Sequence, residues 1–112
     1  MRESSMPGAG ANGNDAIRVL VADDQELVRA GLAALLNLEA DIDVVVQMAS
    51  GTGCAEAVRE YAVDVAMLDI EMPGTDGIAA TEEIMRLGTC KVLIVTTFGR
   101  TGYLQRALAA GA

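Results

Sequence analysis

Three acidic side chains of this 112-residue chain stand directly after short apolar runs. Asp23 and Asp24 follow IRVLVA, and Asp69 follows VAML. A few hard oxygen ligands in a site with room for water suit Mg²⁺ better than Zn²⁺ or a closed Ca²⁺ cage. A carboxylate beside Mg²⁺ could also attack a phosphoryl group, because the metal neutralises charge that builds up in the transition state. Thr96, after KVLIV, offers a hydroxyl that could bond a phosphoryl oxygen.

Each of these residues has a simpler explanation when it is taken alone. Aspartates before a helix are favoured caps, so capping is the simpler interpretation of Asp23 and Asp24. Asp69 could begin a polar turn, and Thr96 could be an ordinary strand residue. A functional site is favoured because all three acids fall at the ends of apolar runs within one alternating pattern.

The elements that would position these residues follow from changes in hydrophobic period. Short β-branched runs predict strands at residues 17–22, 42–46, 65–68 and 91–95. Apolar repeats at helical spacing predict helices at residues 27–37, 50–61, 78–87 and 103–110. This alternation predicts an α/β fold with an open, doubly wound parallel sheet, in which ligands bind beyond the carboxyl ends of the strands.

The three carboxylates would share one pocket if the first and third strands are neighbours, as in flavodoxin-like strand order. At about 4 Å and an effective dielectric of 20, each like-charge pair would cost roughly 4 kcal/mol. We therefore expect a cation to offset the repulsion between these carboxylates.

Composition excludes several classes of function. Sixteen acidic against eight basic residues give a formal net charge of -8, which would repel nucleic acid. Cys54 and Cys90 form no CxxC motif, and the chain has no histidine, so reduced structural thiols are the preferred interpretation. The sequence contains no apolar run of membrane-spanning length and no signal peptide, which predicts a soluble, cytoplasmic protein without direct membrane contact.

Three segments together resemble the receiver domains of two-component response regulators. VLVADDQELVRAGLAALL resembles the first strand, acidic pair and first helix, AMLDIEMPGTDG the phosphorylation strand and loop, and VLIVTTF the fourth strand and switch threonine. The resemblance covers about residues 17–112 and is strongest to the NarL/LuxR class, with TTFGRTGYLQRALAAGA most similar to DesR-like regulators. It implies a flavodoxin-like (CheY-like) fold with strand order 2-1-3-4-5.

The resemblance implies a role for each matched residue. Asp69 matches the aspartate that accepts a phosphoryl group from a sensor histidine kinase, and Asp24 matches the acid that binds Mg²⁺. Asp23 matches its neighbour, which holds a metal-bound water, and Glu71 matches the position whose backbone carbonyl completes the metal site. Thr96 matches the switch residue whose hydroxyl is drawn toward the phosphoryl group.

The resemblance also implies a larger protein. The family carries a lysine at the end of a fifth strand, whereas the only lysine here, Lys91, starts the fourth. We expect a flexible leader at 1–15 and a receiver domain at 16–112 that lacks the fifth strand and fifth helix. A DNA-binding helix-turn-helix domain would follow in the intact protein, and the uncovered edge of the fourth strand would favour a dimer or higher oligomer. Pro73 and Gly77 match the turn that shapes the phosphorylation loop.

Two other functions remain open from the residues alone. Haloacid dehalogenase-type phosphohydrolases also place a nucleophilic aspartate after an apolar strand and a second acid two residues later, which Asp69 and Glu71 superficially fit. The absent lysine leaves open an interaction module that keeps the fold but signals without phosphorylation.

Overall fold

Four strands alternate with four helices along the chain. The computed structural model describes residues 16–72, 74–95 and 101–112. The elements are β1 (Ile17–Ala22), α1 (Glu26–Asn37), β2 (Ile42–Met48), α2 (Cys54–Glu60), β3 (Val65–Leu68), α3 (Gly77–Met85), β4 (Lys91–Ile94) and α4 (Thr101–Ala110). All eight predicted elements are therefore present in the predicted order.

The four strands form one parallel sheet in the order β2-β1-β3-β4. This confirms the predicted order for these strands and makes β1 and β3 direct neighbours. Ala22, the last residue of β1, lies opposite Leu68, the last residue of β3. The residues that follow the two strands therefore leave the sheet at the same edge and at the same level.

Helices cover both faces of the sheet, as a doubly wound fold requires. On one face, buried side chains of the strands pack with those of α2 and α3, among them Leu20, Leu68, Val58 and Ile84. On the other face α1 packs against β1 and β2, and Val19 is buried there. Because successive side chains of β1 point to opposite faces, burial on both sides accounts for its unbroken apolar run from Val19 to Ala22.

The main boundary error in the sequence prediction concerns α2, which begins at Cys54 and not near residue 50. Gly53 adopts a φ of 84°, in the left-handed region, so the chain turns there before the helix can start. A smaller error concerns α3, which ends at Met85 and is followed by Gly88 with a φ of 73°. The predicted glycine stop is correct, but a short turn separates it from the helix.

The outward face of α1 carries leucines that contact little of the described chain. Leu27 is 85% exposed, Leu35 64% and Leu38 78%. Gly31 and Ala34, also exposed, lie between them at helical spacing and extend this apolar face. Among the helices that the structure describes, none has both the length and the hydropathy needed to cross a membrane.

Both thiols are buried, and burial raises the pKa of Cys54 and of Cys90 to about 11. Since the thiolate is the reactive form, we expect neither cysteine to be alkylated by iodoacetamide near neutral pH in the native protein. Mass spectrometry after labelling in buffer and in denaturing urea checks this. Labelling of the native protein as fast as of the unfolded protein would contradict the burial of the two thiols.

Candidate functional site

Three carboxylates meet at the carboxyl edge of the sheet. Asp23 and Asp24 follow β1, and Asp69 follows the neighbouring strand β3. Carboxylate oxygens of all three lie within 4.8 Å of one another. The structure thus brings together the three acids that the sequence analysis singled out, because the parallel pairing of β1 with β3 leaves both strand ends level.

Backbone hydrogen bonds hold two of these aspartates in line with the strands that precede them. The Asp69 N–H donates to the carbonyl of Ala22 at 3.0 Å, and the Asp23 N–H donates to the carbonyl of Met48 at 3.0 Å. Both bonds continue the sheet ladder one residue beyond the strand ends. The carboxylates therefore project from backbone that is as fixed as the sheet itself.

Asp23 is a buried acid with a defined orientation. Its side chain is 7% exposed, and one carboxylate oxygen accepts a hydrogen bond from the Gln25 N–H at 2.9 Å. The N-cap of α1 is Gln25, which makes no side-chain cap bond, so the capping interpretation of Asp23 and Asp24 is wrong. The acidic pair comes too early in the chain to cap the helix, and the Asp23 side chain instead closes the turn that precedes it.

Repulsion and burial act together on Asp69. Burial is the largest cause of the raised pKa of this carboxyl, followed by the negative charge of Asp23, with a smaller contribution from Asp24. Hydrogen bonds from the N–H groups of Ile70 and Glu71 act in the opposite direction and lower the pKa. The net upward shift means that the surroundings disfavour the charged form of Asp69, as expected of a site that would gain from a cation.

The donor set fits Mg²⁺. The three side chains offer only oxygen atoms, and they range from buried Asp23 through half-buried Asp69 to exposed Asp24. A cation here would keep access to water on the Asp24 side, as Mg²⁺ requires with its octahedral shell and retained waters. Arg29 supplies one fixed positive charge nearby, because its guanidinium donates to the backbone carbonyl of Asp23 at 2.8 Å.

The loop after Asp69 closes back on the strand end. The Gly77 N–H donates to the carbonyl of Ile70 at 2.8 Å, and a Cβ atom on Gly77 would collide with the carbonyl oxygen of Asp69. The predicted importance of Gly77 thus has a steric cause. Glu71 lies exposed in this loop. The other matched loop residue, Pro73, and the matched switch residue, Thr96, lie outside the described residues.

The model of the response regulator receiver domain matches residues 19–112. The chain belongs to this family. Receiver domains are generally phosphoacceptor switches and not enzymes with turnover, so membership displaces the haloacid dehalogenase-type hypothesis. A receiver domain also generally binds Mg²⁺ at an acidic pocket, which corresponds here to the cluster of Asp23, Asp24 and Asp69.

The relatives of this receiver domain confirm the predicted NarL/LuxR class. The transcriptional regulatory protein DesR of Bacillus subtilis is 44% identical over 95 residues, which cover 85% of this chain and 47% of DesR. The receiver domain of the putative response regulator NarL from Mycobacterium tuberculosis superposes with a TM-score of 0.81 at 31% identity, covering 87% of this chain and 79% of that one. A LuxR-family DNA-binding response regulator from Staphylococcus aureus superposes with a TM-score of 0.78 at 34% identity. The match covers 84% of this chain and 79% of that one.

The receiver domain spans about half the length of the curated relatives it matches. Sequence reasoning missed two features of its site. Arg29 approaches Asp23 from the inner side of α1, and Thr52 contacts the phosphorylation loop at Thr75. The six-residue spacing from Asp23 to Arg29 was a weak indication that the two residues are in contact. The separation of 23 residues between Thr52 and Thr75 gave no indication of theirs.

Asp69→Asn should stabilise the receiver domain at neutral pH without Mg²⁺. A raised pKa means that stability falls as pH rises from the ordinary range of aspartate through the raised value, so the penalty grows across that window as Asp69 becomes charged. Because Asp69 is only half-buried and solvent screens its repulsion from Asp23 and Asp24, we expect a gain near the high-dielectric limit of about 1 kcal/mol, or roughly 4–8 °C in Tm.

Calorimetric melting of the wild type, Asp69→Asn and Asp41→Asn tests this, since Asp41 is an exposed acid in the turn before β2. The gain should shrink below the ordinary pKa of aspartate, where the wild-type carboxyl is neutral. Equal gains from both substitutions would show that overall charge, and not the cluster, sets the stability.

Proposed function

We propose that this receiver domain accepts a phosphoryl group on Asp69 from a sensor histidine kinase in a Mg²⁺-dependent reaction. The observation that carries the proposal is the cluster of three carboxylates within 4.8 Å at the ends of β1 and β3. Holding three like charges together is costly unless the site binds a cation, and a cation beside a carboxylate is the arrangement that phosphoryl transfer needs.

The proposed step uses Asp69 as the nucleophile. One carboxylate oxygen attacks phosphorus as the P–N bond of the kinase phosphohistidine breaks, and the leaving imidazole nitrogen takes up a proton. An acyl phosphate remains on Asp69. Bound Mg²⁺ would neutralise charge on the transferring phosphoryl oxygens. Hydrogen bonds from the Ile70 and Glu71 N–H groups keep the carboxylate oriented while it reacts.

The other residues of the site have supporting roles in this proposal. Asp24, exposed beside Asp69, would bind the metal directly, and Asp23 would hold a metal-bound water through the oxygen that Gln25 leaves free. Glu71 would contribute its backbone carbonyl, so the identity of its side chain is not critical. The Thr96 hydroxyl would bond the phosphoryl group, and its movement would change the surface of the domain.

The outcome of phosphorylation is proposed by analogy with the relatives, which are transcriptional regulators. Residues 16–112 would be the receiver domain, and the predicted leader at 1–15 lies outside the described residues. In the intact, cytoplasmic protein, phosphorylation would favour a dimer or higher oligomer and DNA binding through a C-terminal helix-turn-helix domain. The net charge of -8 supports a receiver that does not itself contact DNA.

Phosphorylation by a small donor provides the direct test. With Mg²⁺ and acetyl phosphate or phosphoramidate, we expect one hydroxylamine-sensitive phosphoryl adduct by intact mass, located on Asp69 by peptide mapping. EDTA or Asp69→Asn should abolish it, and Asp41→Asn should leave it unchanged. An adduct that forms equally in Asp69→Asn, or no adduct in the wild type, would reject the proposal and favour a module that signals without phosphorylation.

The exposed face of α1 supports contact with the kinase. Leu27 lies three residues from Asp24, and the apolar face runs from there along the helix to Leu38. A partner that delivers a phosphoryl group to Asp69 must approach this corner of the molecule. Apolar contact with α1 would supply affinity that a net negative chain cannot obtain from charge.

Leu27→Gln tests the contact without adding charge near the acidic cluster. We expect phosphotransfer from a histidine kinase of the source organism to slow about tenfold, as for truncation of an interface anchor, while labelling by acetyl phosphate stays within about twofold. Leu108→Gln, the same change at a 62% exposed leucine of α4, is the control. Equal slowing of both reactions would mean that Leu27 supports the site itself and not the kinase contact.

A further inference from the structure

We infer that Thr52 is a positioning residue for the acidic cluster, because its hydroxyl anchors the loop that carries Glu71. Thr52 lies in the turn between β2 and α2, and its contact is with the loop between β3 and α3. The inference rests on the proposed Mg²⁺-dependent function and assigns to it a residue outside the acidic cluster.

Hydrogen bonds join the two loops side by side. The Thr75 N–H donates to the Thr52 hydroxyl oxygen at 3.1 Å, and the Thr52 hydroxyl donates to that of Thr75 at 3.4 Å. The Thr52 N–H in turn donates to the Ser50 hydroxyl oxygen at 3.0 Å. The backbone of the residue that holds Thr75 is therefore itself held by Ser50, two residues after β2.

Two glycines allow the loops to approach this closely. A Cβ atom on Gly51 would collide with the carbonyl oxygen of Thr75, and a Cβ atom on Gly74 would lie 2.5 Å from the Thr52 hydroxyl oxygen. Gly74 also has a φ of 70°, which favours glycine. Each loop thus presents bare backbone to the other, so the Thr52 contact is part of a close-packed junction.

Different interactions fix the two arms of the phosphorylation loop. The outgoing arm is residues 70–72, and the return arm is residues 74–76. The outgoing arm is anchored by burial, since Ile70 is 2% exposed and Met72 is 7% exposed. The return arm has no such anchor at Gly74, which is exposed, or at Thr75, which is only half-buried. Hydrogen bonding to Thr52 therefore fixes the position of the return arm, as burial fixes that of the outgoing arm.

A displacement at Thr75 would reach the acidic cluster through a short path. Only Asp76 separates Thr75 from Gly77, and Asp76 is fixed as the N-cap of α3 by a 2.9 Å bond from the Ala79 N–H. Gly77 packs directly against the carbonyl of Asp69. Loss of the Thr52 anchor should therefore loosen the frame around Asp69 and the Glu71 carbonyl, and weaken metal binding through lost preorganisation.

Thr52→Val removes the hydroxyl and keeps the branched shape, whereas Thr52→Ser keeps the hydroxyl. Thr89→Val makes the same change in an exposed turn between α3 and β4 and serves as the control. Calorimetric titration gives the Mg²⁺ dissociation constant, and hydrogen exchange of peptides spanning residues 70–77 gives the mobility of the loop. Thermal melting gives the overall stability of each variant.

We expect Thr52→Val to raise the Mg²⁺ dissociation constant about two- to twelvefold, the range of one neutral hydrogen bond, and to speed exchange in the loop. Thr52→Ser should restore both, and Thr89→Val should change neither. Normal Mg²⁺ binding by Thr52→Val, or equal weakening in Thr52→Ser or Thr89→Val, would overturn the inference alone. Failure of the wild type to bind Mg²⁺ would instead overturn the proposed function together with the metal part of this inference.

Discussion

The electrostatic repulsion between Asp23, Asp24 and Asp69 is the constraint on which the rest of this structure depends. The pairing of β1 with β3 fixes it, because Ala22 lies opposite Leu68 and the Asp69 N–H bonds back to Ala22. Burial of the strands supplies the stability that keeps the charges close, and the raised pKa of Asp69 records the cost. A cation bound here would offset the repulsion that the fold imposes on the three carboxylates, which is why the proposed function includes Mg²⁺.

Hydrophobic period alone was enough to predict the elements of this fold, because the strands are short, mainly apolar runs and the helices repeat apolar residues at helical spacing. It failed where backbone conformation decides the boundary. Gly53 in the left-handed region delays α2, and the register shift between Val19 and Leu20 lets β2 pair with β1 as far as Met48. The strand order came from the family resemblance, since no local pattern specifies which strands are neighbours.

The site, like the fold, was predictable where it depends on local sequence features and not where it depends on contacts between distant residues. Aspartates at the ends of apolar runs are local features, and they stand where the sequence analysis expected them. Capping, also a local interpretation, failed because α1 starts at Glu26, three residues after Asp23. The contact between Thr52 and Thr75 joins residues far apart in the chain, and threonines beside glycine have no property that distinguishes a positioning hydroxyl from an ordinary turn residue.

The acidic cluster and the neighbouring apolar face of α1 would have different roles, the first in chemistry and the second in recognition. The chain carries a net charge of -8, and the group that Asp69 would accept is itself an anion, so long-range electrostatics oppose the reaction proposed for the site. At physiological ionic strength the opposition is screened beyond about 8 Å, which leaves only the local repulsion for a bound cation to offset. Uncharged surface close to the cluster is available for contact with a partner, since the apolar face of α1 begins at Leu27, three residues from Asp24. If Asp69 accepts a phosphoryl group as proposed, a partner protein that contacts this apolar face would be a better phosphodonor than a small molecule, which gains no such contact.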